Sequence, residues 1–338
     1  MLRMPPFELH LPTTAVEAVQ LRQSLPESMY VAGGTDLLPN LKHRLHTPQH
    51  LVSLSEVAGI GAIVVTDDGT LEIGARSTLH DIATNALLLR EVPGLAEAAG
   101  LVAGPQHRQM GTIGGNVMLD TRCLFYNQTA EWRTALGFCL KKDGDWCHVI
   151  GSKKACVAAQ SSDTVPMLVA LDARLRVRLD KDESTEVPLR ELFTKDGRFD
   201  RVHTLPHTAL VEAVVIPPRR PGHRSVYRKV RARAAVDYPQ LGVAISGSFD
   251  GSNCTELEVV IGAIMPQPKR LKHMKKAVGT QLDDELIDVL AAHGYKQIKP
   301  QTSIHGSPQW RRHMARVELT RGLRDLRDGA PSPVPAKL

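Results

Sequence analysis

The residues of this sequence with the clearest capacity for chemistry are four cysteines that fall within one segment, at positions Cys123, Cys139, Cys147 and Cys156. Thiols clustered in this way can form disulfides, hold a zinc ion or carry an iron–sulfur cluster. Fifteen, seven and eight residues separate them, so the segment lacks the close C-x₂₋₄-C pair that structural zinc usually takes. An iron–sulfur cluster needs only that four thiolates converge in the fold. The spacing favours a cluster and leaves zinc and unligated thiols open.

Other residues bear on this choice. His148 follows Cys147 and is a possible ligand, although such a histidine is more often a surface or hydrogen-bonding residue. Basic side chains around the thiols would offset thiolate charge. They are Arg122, Lys141, Lys142, Lys153 and Lys154. The fifth cysteine, Cys254, has no partner in sequence, and we interpret it as an incidental thiol in the turn-like sequence DGSNC.

Two glycine-rich segments are candidates for binding an anionic ligand: VAGGTDLL (residues 31–38) and GTIGGN (residues 111–116). Glycine lets a ligand approach the backbone, and successive N–H groups in such a turn can face phosphate oxygens. Neither segment matches G-x-G-x-x-G or the Walker pattern, so no Rossmann or P-loop site is indicated. Each alone is most simply a tight turn. Two such turns, both predicted to follow apolar strands, could hold a dinucleotide pyrophosphate from two sides.

The surrounding sequence predicts mixed helices and strands that would position these segments, with an apolar run ending in a Pro/Gly/Arg-rich stretch near residue 218 as the best domain boundary. The predicted elements are a Thr-capped helix in 13–25, a strand, glycine turn and helix in 28–45, a strand in 50–57, a hairpin around 68–69, a helix capped near 78, a helix in 92–104, a helix and strand in 165–179, antiparallel strands in 225–264, and closing helices in 283–298 and 307–328.

The composition is that of a globular protein. The 338 residues suffice for two or three domains, and 42% of them are hydrophobic. Without an apolar run of the ~20 residues that span a bilayer, and without a secretory-signal pattern, we expect a cytoplasmic protein that makes no use of disulfides and binds no membrane. The net charge of +6 is spread along the chain and only 4% of residues are aromatic, which disfavours nucleic-acid binding.

Three segments together resemble a known family: AGGTDLL (32–38), GPQHRQMGTIGGN (104–116) and YRKVRARAAVDYPQLGVA (227–244). They are similar to the FAD-binding medium subunits of the molybdenum hydroxylase (xanthine oxidase) family, a likeness that runs over about residues 5–328. Most members lack the cysteine segment. That segment resembles the β subunit of the 4-hydroxybenzoyl-CoA reductase branch, in which the corresponding loop carries an additional [4Fe–4S] cluster.

The resemblance implies residues for two cofactors, FAD and a [4Fe–4S] cluster. The first glycine turn would wrap the FAD pyrophosphate and the second would form another phosphate-facing turn. Asp163 matches an aspartate that holds the adenosine ribose, and Lys229 matches a lysine near the flavin. The implied FAD-binding residues are Val31, Ala32, Gly33, Gly34, Thr35, Asp36, Leu37, Val102, Thr112, Gly114, Gly115, Asn116, Asp163, Ile216 and Lys229, and the implied cluster ligands are Cys123, Cys139, Cys147 and Cys156.

The resemblance also implies an α+β fold. A two-subdomain FAD-binding domain of the PCMH or vanillyl-alcohol-oxidase-like type would precede a C-terminal α+β domain like that of CO dehydrogenase flavoproteins. The implied subdomains are 1–57 and 58–218, with the cluster loop inserted at about 120–157. The C-terminal domain would cover 219–328, and 329–338 would form a disordered tail.

The implied function is that of an electron-transfer subunit with no acid–base catalyst of its own. Ferredoxin would donate electrons to the cluster, and FAD would pass them through a small [2Fe–2S] subunit to a large molybdopterin subunit, in a dimer of heterotrimers. There 4-hydroxybenzoyl-CoA would be reduced to benzoyl-CoA. Two alternatives are an oxidative molybdenum hydroxylase with another aromatic or N-heterocyclic substrate, and a zinc-stapled binding protein without a redox role.

Overall fold

The computed structural model describes residues 2–329, so all but the first residue of the predicted tail lies outside the described residues. The strands are β1 Glu8–His10, β2 Ser28–Val31, β3 His50–Ser53, β4 Ile63–Val65, β5 Leu71–Gly74, β6 Arg174–Arg178, β7 Ser184–Pro188, β8 Leu210–Ile216, β9 His223–Val230, β10 Leu241–Asp250, β11 Asn253–Gly262, β12 Lys269–Arg270 and β13 Thr280–Gln281. The helices are α1 Ala15–Ser24, α2 Leu37–Lys42, α3 Leu79–Thr84, α4 Ala86–Glu91, α5 Pro93–Gly100, α6 Pro105–Met110, α7 Ile113–Val117, α8 Ala130–Leu136, α9 Thr164–Ala170, α10 Leu189–Leu192, α11 Asp284–Gln297 and α12 Pro308–Asp328, with a 3₁₀ turn at Met274–Ala277.

The first layer is a parallel three-stranded sheet in the order β1-β3-β2. Helix α1 begins where the Thr14 hydroxyl accepts a hydrogen bond from the Glu17 amide, a capping interaction that satisfies one free N–H of the first turn. Its buried residues Ala18 and Val19 pack with Val52 of β3. Strand β2 leads directly into the first glycine segment, which therefore lies at the carboxyl end of this sheet.

The second layer is a five-stranded antiparallel sheet in the order β4-β5-β8-β6-β7. Helix α3 begins at a capping box, in which Thr78 and Asp81 satisfy each other's backbone N–H groups. Helices α3, α5 and α9 join the sheet in one hydrophobic core that includes the fully buried Ile73, Leu95 and Met167. This core fixes the elements from which the second glycine segment and Asp163 project.

The C-terminal domain is an antiparallel sheet in the order β12-β11-β10-β9, with β13 paired to β11. Helix α12 buries Ala315, Leu319, Leu323 and Leu326, a spacing that places them along one helical stripe against the domain core. The Gly94 amide of α5 donates to the Ser225 hydroxyl of β9 at 3.0 Å. The C-terminal sheet is therefore joined directly to the helices around the second glycine segment.

His223, at the start of β9, is held as a neutral imidazole between the two parts of the chain. Its Nδ1 lies 3.3 Å from the Glu91 carbonyl oxygen and its Nε2 lies 3.1 Å from the Ser246 hydroxyl. A carbonyl only accepts, so Nδ1 carries the proton and Nε2 accepts from the serine. Burial, reinforced by the charge of Arg219, lowers the pKa of His223 from 6.5 to about 4.

We expect this histidine to make the folded state sensitive to acid. Between pH 6.5 and about 4 the unfolded chain binds a proton at His223 that the folded chain does not. Stability is therefore present above pH 6.5 and is lost as pH falls through this window, by at most about 1.4 kcal/mol per pH unit. Urea unfolding at pH 7 and pH 5 should show a smaller loss in His223→Gln than in the wild type. An identical loss in both proteins would contradict the assignment.

The predicted α+β class is confirmed, and the predicted helices beginning after Thr14 and Thr78 are present. One expectation was wrong. The second glycine segment follows helix α6 and not a strand, because Gly104 and Pro105 start a helix there, with proline at its first position. The cysteine segment also contains helix α8, capped by Thr129, for which no element had been predicted. Between β8 and β9 lies the segment in which a domain boundary was predicted.

Candidate functional site

A cavity of about 940 Å³ lies where the two glycine segments meet, a size in the range of cofactor sites. Most of the residues predicted to bind FAD line it together. They are Val31, Ala32, Gly33, Gly34, Thr35, Asp36, Leu37, Val102, Thr112, Gly114, Gly115, Asn116 and Asp163. The fold therefore brings segments that are far apart in sequence onto the walls of one cavity.

The two glycine segments touch through their backbones. A Cβ atom built on Gly33 would lie 1.8 Å from the carbonyl oxygen of Met110 and 2.4 Å from its carbonyl carbon. A Cβ on Gly114 would lie 2.8 Å from the Cβ of Ala75, at the end of the β5 strand. Gly34 has a φ of +70°, in the left-handed region that favours glycine. Close packing or backbone conformation thus requires each of these glycines. Among the hydrogen bonds of the described residues, none is donated by the backbone N–H groups of residues 32–36, which can therefore face a ligand, whereas most N–H groups of the second glycine segment donate within the protein.

Asn116, beside the second glycine segment, is oriented by two hydroxyl groups. Its Oδ1 accepts hydrogen bonds from Ser162 Oγ at 2.6 Å and from Thr164 Oγ1 at 2.7 Å. With the carbonyl end of the amide occupied, the NH₂ end is the donor that this side chain can offer to the cavity. The Thr112 hydroxyl forms a hydrogen bond within the segment, because it accepts from the Gly115 amide at 3.2 Å.

Asp163 is a buried carboxylate of the cavity wall. The Tyr227 hydroxyl donates to its Oδ1 and the Lys229 ammonium donates to its Oδ2, both at 2.8 Å. Burial raises the pKa of Asp163, an effect that the charge of Lys229 and the Tyr227 hydroxyl oppose. Lys229 also donates to the Leu101 carbonyl at 2.9 Å, and only 1% of its side chain is exposed.

Two residues predicted to contact FAD do not line the cavity. Lys229 does not line the cavity, and its ammonium donates to the Asp163 carboxylate, which it orients. Ile216 is fully buried at the end of β8, where it belongs to the hydrophobic core. Resemblance alone could not distinguish a residue on the wall from one that supports the wall.

The cysteine segment leaves and rejoins the FAD-binding domain at one point. Arg122 and Ala159 exchange two backbone hydrogen bonds of 2.8 Å, which close the neck of the loop between them. Beyond the neck, Lys141 extends inward and donates to Asp120 Oδ1 at 2.7 Å and to Thr121 Oγ1 at 2.8 Å. Its side chain is 1% exposed, so the loop is attached to the domain by the ion pair of a buried ammonium with Asp120.

The four cysteines converge inside this loop. Their side chains line one small pocket together with apolar residues such as Leu140 and Ala158. Each is at most 8% exposed. Burial raises the pKa of the Cys123 thiol to about 11 and that of the Cys156 thiol to about 12, and in both cases neighbouring thiols add to the rise. Buried thiols of this kind become thiolates when a metal displaces their protons.

The geometry of the pocket distinguishes among the chemistries that spacing left open. All five cysteines are free, so the loop is not stapled by disulfides. In the part of the chain that the structure describes, no three of the four sulfurs lie within 4.8 Å of one another. Tetrahedral zinc holds its sulfurs roughly 3.8 Å apart, given a Zn–S bond of ~2.3 Å. A cluster in which each sulfur binds a different iron spreads its ligands more widely than a single zinc ion does.

His148 lines the same pocket but is engaged elsewhere. Its Nε2 lies 2.7 Å from the carbonyl oxygen of Phe138, which can only accept a hydrogen bond. Nε2 is therefore a donor, and the hydrogen-bonding role anticipated for His148 is confirmed. Cys254 lies far along the chain in strand β11, where its thiol donates to the Glu256 carbonyl at 3.2 Å.

Arg122 links the cysteine pocket to the cavity. It precedes Cys123, and its guanidinium donates to Asp36 Oδ1 of the first glycine segment at 3.0 Å. The same guanidinium stacks on Tyr238, 3.9 Å from the ring centroid. Burial raises the pKa of Asp36, and Arg122 opposes that rise. The Arg122–Asp36–Tyr238 contact thus joins the cysteine loop, the FAD-binding domain and the C-terminal domain.

Comparison with known proteins identifies the family. Residues 5–219 match the FAD binding domain in molybdopterin dehydrogenase, and residues 225–326 match the CO dehydrogenase flavoprotein C-terminal domain. The chain belongs to the FAD-binding medium subunits of the molybdenum hydroxylase family. This medium subunit is similar to the aldehyde oxidoreductase FAD-binding subunit PaoB of Escherichia coli (strain K12), with 30% identity over 80% of this chain and 85% of the relative.

Further similarities to this medium subunit extend over nearly its whole length. The carbon monoxide dehydrogenase medium chain of Afipia carboxidovorans is 26% identical over 94% of this chain and 95% of its own. A crystal structure of Cu,Mo-CO dehydrogenase matches with a TM-score of 0.78 and 24% identity, over 97% of this chain and 100% of that one, which shows the shared fold. The predicted family and fold are confirmed, whereas none of these descriptions mentions a [4Fe–4S] cluster.

Sequence reasoning on this medium subunit missed several site residues. Tyr238 lies within the segment 227–244 that carried the resemblance, and that location was the available signal. Arg122 and Lys141 were noted only as charges near the thiols, and their partners lie 86 and 21 residues away in sequence. Across the described residues, no helix is both long and apolar enough to cross a membrane.

Proposed function

We propose that this medium subunit binds both FAD and a [4Fe–4S] cluster and transfers electrons between them within a molybdenum enzyme of the 4-hydroxybenzoyl-CoA reductase type. The observation that carries the proposal is the convergence of four buried cysteines in a loop whose neck adjoins the FAD-binding cavity. Bound at these sites, the two cofactors would supply one- and two-electron transfer. The chain's own residues bind, orient and shield them.

The FAD part of the proposal is supported by the cavity walls. The backbone of the first glycine segment, with Gly33 against Met110, offers N–H groups to a pyrophosphate, and the second segment lines the same cavity. The NH₂ group of Asn116 is a donor held in one orientation. Asp163, fixed by Tyr227 and Lys229, retains lone pairs that can accept hydrogen bonds from sugar hydroxyls.

The cluster part rests on the cysteine loop alone. The four sulfurs are buried and free of disulfides, and among residues 2–329 no three of them lie within 4.8 Å of one another, which suits a [4Fe–4S] cluster better than one zinc ion. The charge of the buried Lys141 ammonium opposes the rise in the pKa of Cys123 and Cys156. The same charge would offset the negative charge of a cluster with four thiolates. The zinc-stapled alternative finds less support in these separations.

We infer the partners of the proposed enzyme from its relatives, which are named as medium chains or subunits of larger enzymes. A large molybdopterin subunit and a small [2Fe–2S] subunit would complete the assembly, and we propose a dimer of heterotrimers in the cytoplasm. Ferredoxin is the proposed donor. The chief alternative keeps both cofactors but runs in the oxidative direction on another aromatic or N-heterocyclic substrate, a choice that resides in the large subunit.

Cofactor analysis of the anaerobically purified enzyme tests the proposal. We expect one FAD with about four iron and four sulfide in this chain. The purified enzyme should show, on reduction with dithionite, a cluster EPR signal additional to those of the small subunit. Flavin without that iron would contradict the cluster assignment, while the assignment of this chain as an FAD-binding subunit would stand. Iron together with turnover of 4-hydroxybenzoyl-CoA by reduced ferredoxin would distinguish the reductase from an oxidative hydroxylase.

A further inference from the structure

We propose that Glu8, His10 and His50 form a binding site for a divalent transition-metal ion, with zinc as the best match. The three residues lie on neighbouring parallel strands, β1 and β3. The register pairs Glu8 with His50, and the two-residue period of a strand places His10 on the same face as Glu8. All three side chains therefore project from one face at one edge of the sheet.

The ligand atoms lie at separations that suit a single ion. His10 Nε2 lies 3.2 Å from His50 Nδ1, and Glu8 Oε2 lies 3.4 Å from His50 Nδ1. Glu8 Oε1 lies 3.9 Å from His10 Nε2. With Zn–N bonds of ~2.0–2.1 Å, two imidazole nitrogens on a tetrahedral ion are roughly 3.3–3.4 Å apart. The nitrogen pair and one carboxylate oxygen already match that geometry closely.

A hydrogen bond between the two imidazoles explains only part of this arrangement. Such a bond uses one N–H and one lone pair, and it does not by itself bring the Glu8 carboxylate close to both nitrogens. A cation placed among the three ligand atoms binds all of them at once. Among residues 2–329, this is the one set of three histidine, cysteine or carboxylate groups with ligand atoms all within 4.8 Å of one another.

The chemistry of the donor set selects the class of ion. Two imidazoles with one carboxylate suit zinc and its neighbours in the transition series, whereas calcium and magnesium prefer sets made wholly of oxygen. The histidine side chains are about 20% exposed and that of Glu8 is 66% exposed, so water can reach the ion and fill an open coordination position. Three protein ligands plus water make a four-coordinate site.

This site is separate from the proposed cofactor sites. His50 pairs with Ser28 at the start of the parallel strands, whereas the first glycine segment follows Val31 at their carboxyl end. An ion at this edge would cross-link β1 to β3 and hold the N-terminal strand to the FAD-binding domain. The inference therefore stands whether or not a [4Fe–4S] cluster occupies the cysteine loop.

Zinc titration of the full enzyme, followed by calorimetry, tests the site. Because the cysteine loop is the same in all variants, the difference from wild type isolates the histidine site. We expect His10→Ala to remove one zinc per chain. Glu8→Gln, on an exposed side chain that leaves the fold intact, should weaken binding at least tenfold, since even groups outside the ligand set are worth about 10–100-fold. Amide exchange of β1 should slow with zinc in the wild type but not in His10→Ala.

His293→Ala is the matched control. His293 forms another histidine pair with His273, with ring centroids 5.9 Å apart, and no carboxylate completes a three-ligand set there. This variant should retain the wild-type stoichiometry and affinity. Equal zinc binding by the wild type, His10→Ala and Glu8→Gln would overturn the proposal, as would an equal loss in His293→Ala.

Discussion

Replacing Cys139 by serine is expected to remove nearly all the iron of this chain while leaving FAD in place. A hydroxyl is a much poorer ligand than a thiolate for a [4Fe–4S] cluster, and three remaining sulfurs cannot complete the set. The FAD cavity should survive, because its glycine segments lie outside the loop, whose neck is closed by the Arg122–Ala159 backbone pair. Iron, sulfide and flavin analysis of the purified variant measures the effect.

The consequence for electron transfer should be equally large. In Cys139→Ser, reduced ferredoxin should no longer reduce the flavin at an appreciable rate, whereas dithionite should still reduce it chemically. Cys254→Ala is the matched control, because this buried cysteine lies in β11 and its thiol contacts only the Glu256 carbonyl among the hydrogen bonds described for residues 2–329. The control should keep its full iron content. Full iron content in Cys139→Ser would contradict the assignment of the four ligands.

The second large effect is expected from Gly33→Ala, which should nearly abolish FAD binding. The new methyl group would lie 1.8 Å from the Met110 carbonyl oxygen, and that atom belongs to backbone that cannot rotate away. The two glycine segments must then separate. Overpacking of this kind costs about 1–3 kcal/mol or more. When about 3 kcal/mol of this cost is subtracted from the free energy of FAD binding, the affinity for FAD falls roughly a hundredfold.

Gly61→Ala provides the comparison for this substitution. A Cβ atom on Gly61 would approach only the flexible end of Arg76, at 3.5 Å, which is ordinary van der Waals contact. Titration of the deflavinated enzyme with FAD, followed by flavin fluorescence, should give wild-type affinity for Gly61→Ala. Gly33→Ala should show little binding, while circular dichroism reports whether its fold persists. Wild-type affinity in Gly33→Ala would show that the two segments do not need this contact.

How much of the fold could be predicted depended on how local the signals were. Thr14 and Thr78 start helices through contacts three residues away, so the sequence around each was sufficient. Helix α6 was missed because PQHRQM has no apolar periodicity and its helix is exposed, with no buried residue. Helix α8 was missed for a similar reason, since the turn-like residues around it dominated the pattern.

The site was less accessible to sequence reasoning because its partners are distant in the chain. Asp163 and Lys229 are 66 residues apart, and Asp36 and Tyr238 are 202 apart. No spacing rule predicts such pairs. The residues of the recognisable motifs line the cavity, whereas Lys229 does not line it and donates to Asp163. A motif identifies the segment that contacts a ligand. Tertiary packing decides which of its residues line the cavity and which only hold the lining residues in place.

The paired backbone at Arg122 and Ala159 also bears on how such a protein could acquire the proposed second redox centre. The two ends of the loop, Arg122 and Ala159, are paired to each other. The rest of the domain therefore keeps the same structure at this point whether the loop is long or short. Lengthening a loop whose ends already meet adds little entropic cost. A loop joined in this way could be grafted by evolution or design onto another flavoprotein of this family, provided that the receiving domain supplies the groups that hold it, such as Asp120 for the buried ammonium of Lys141 and Asp196 for the Cys156 amide.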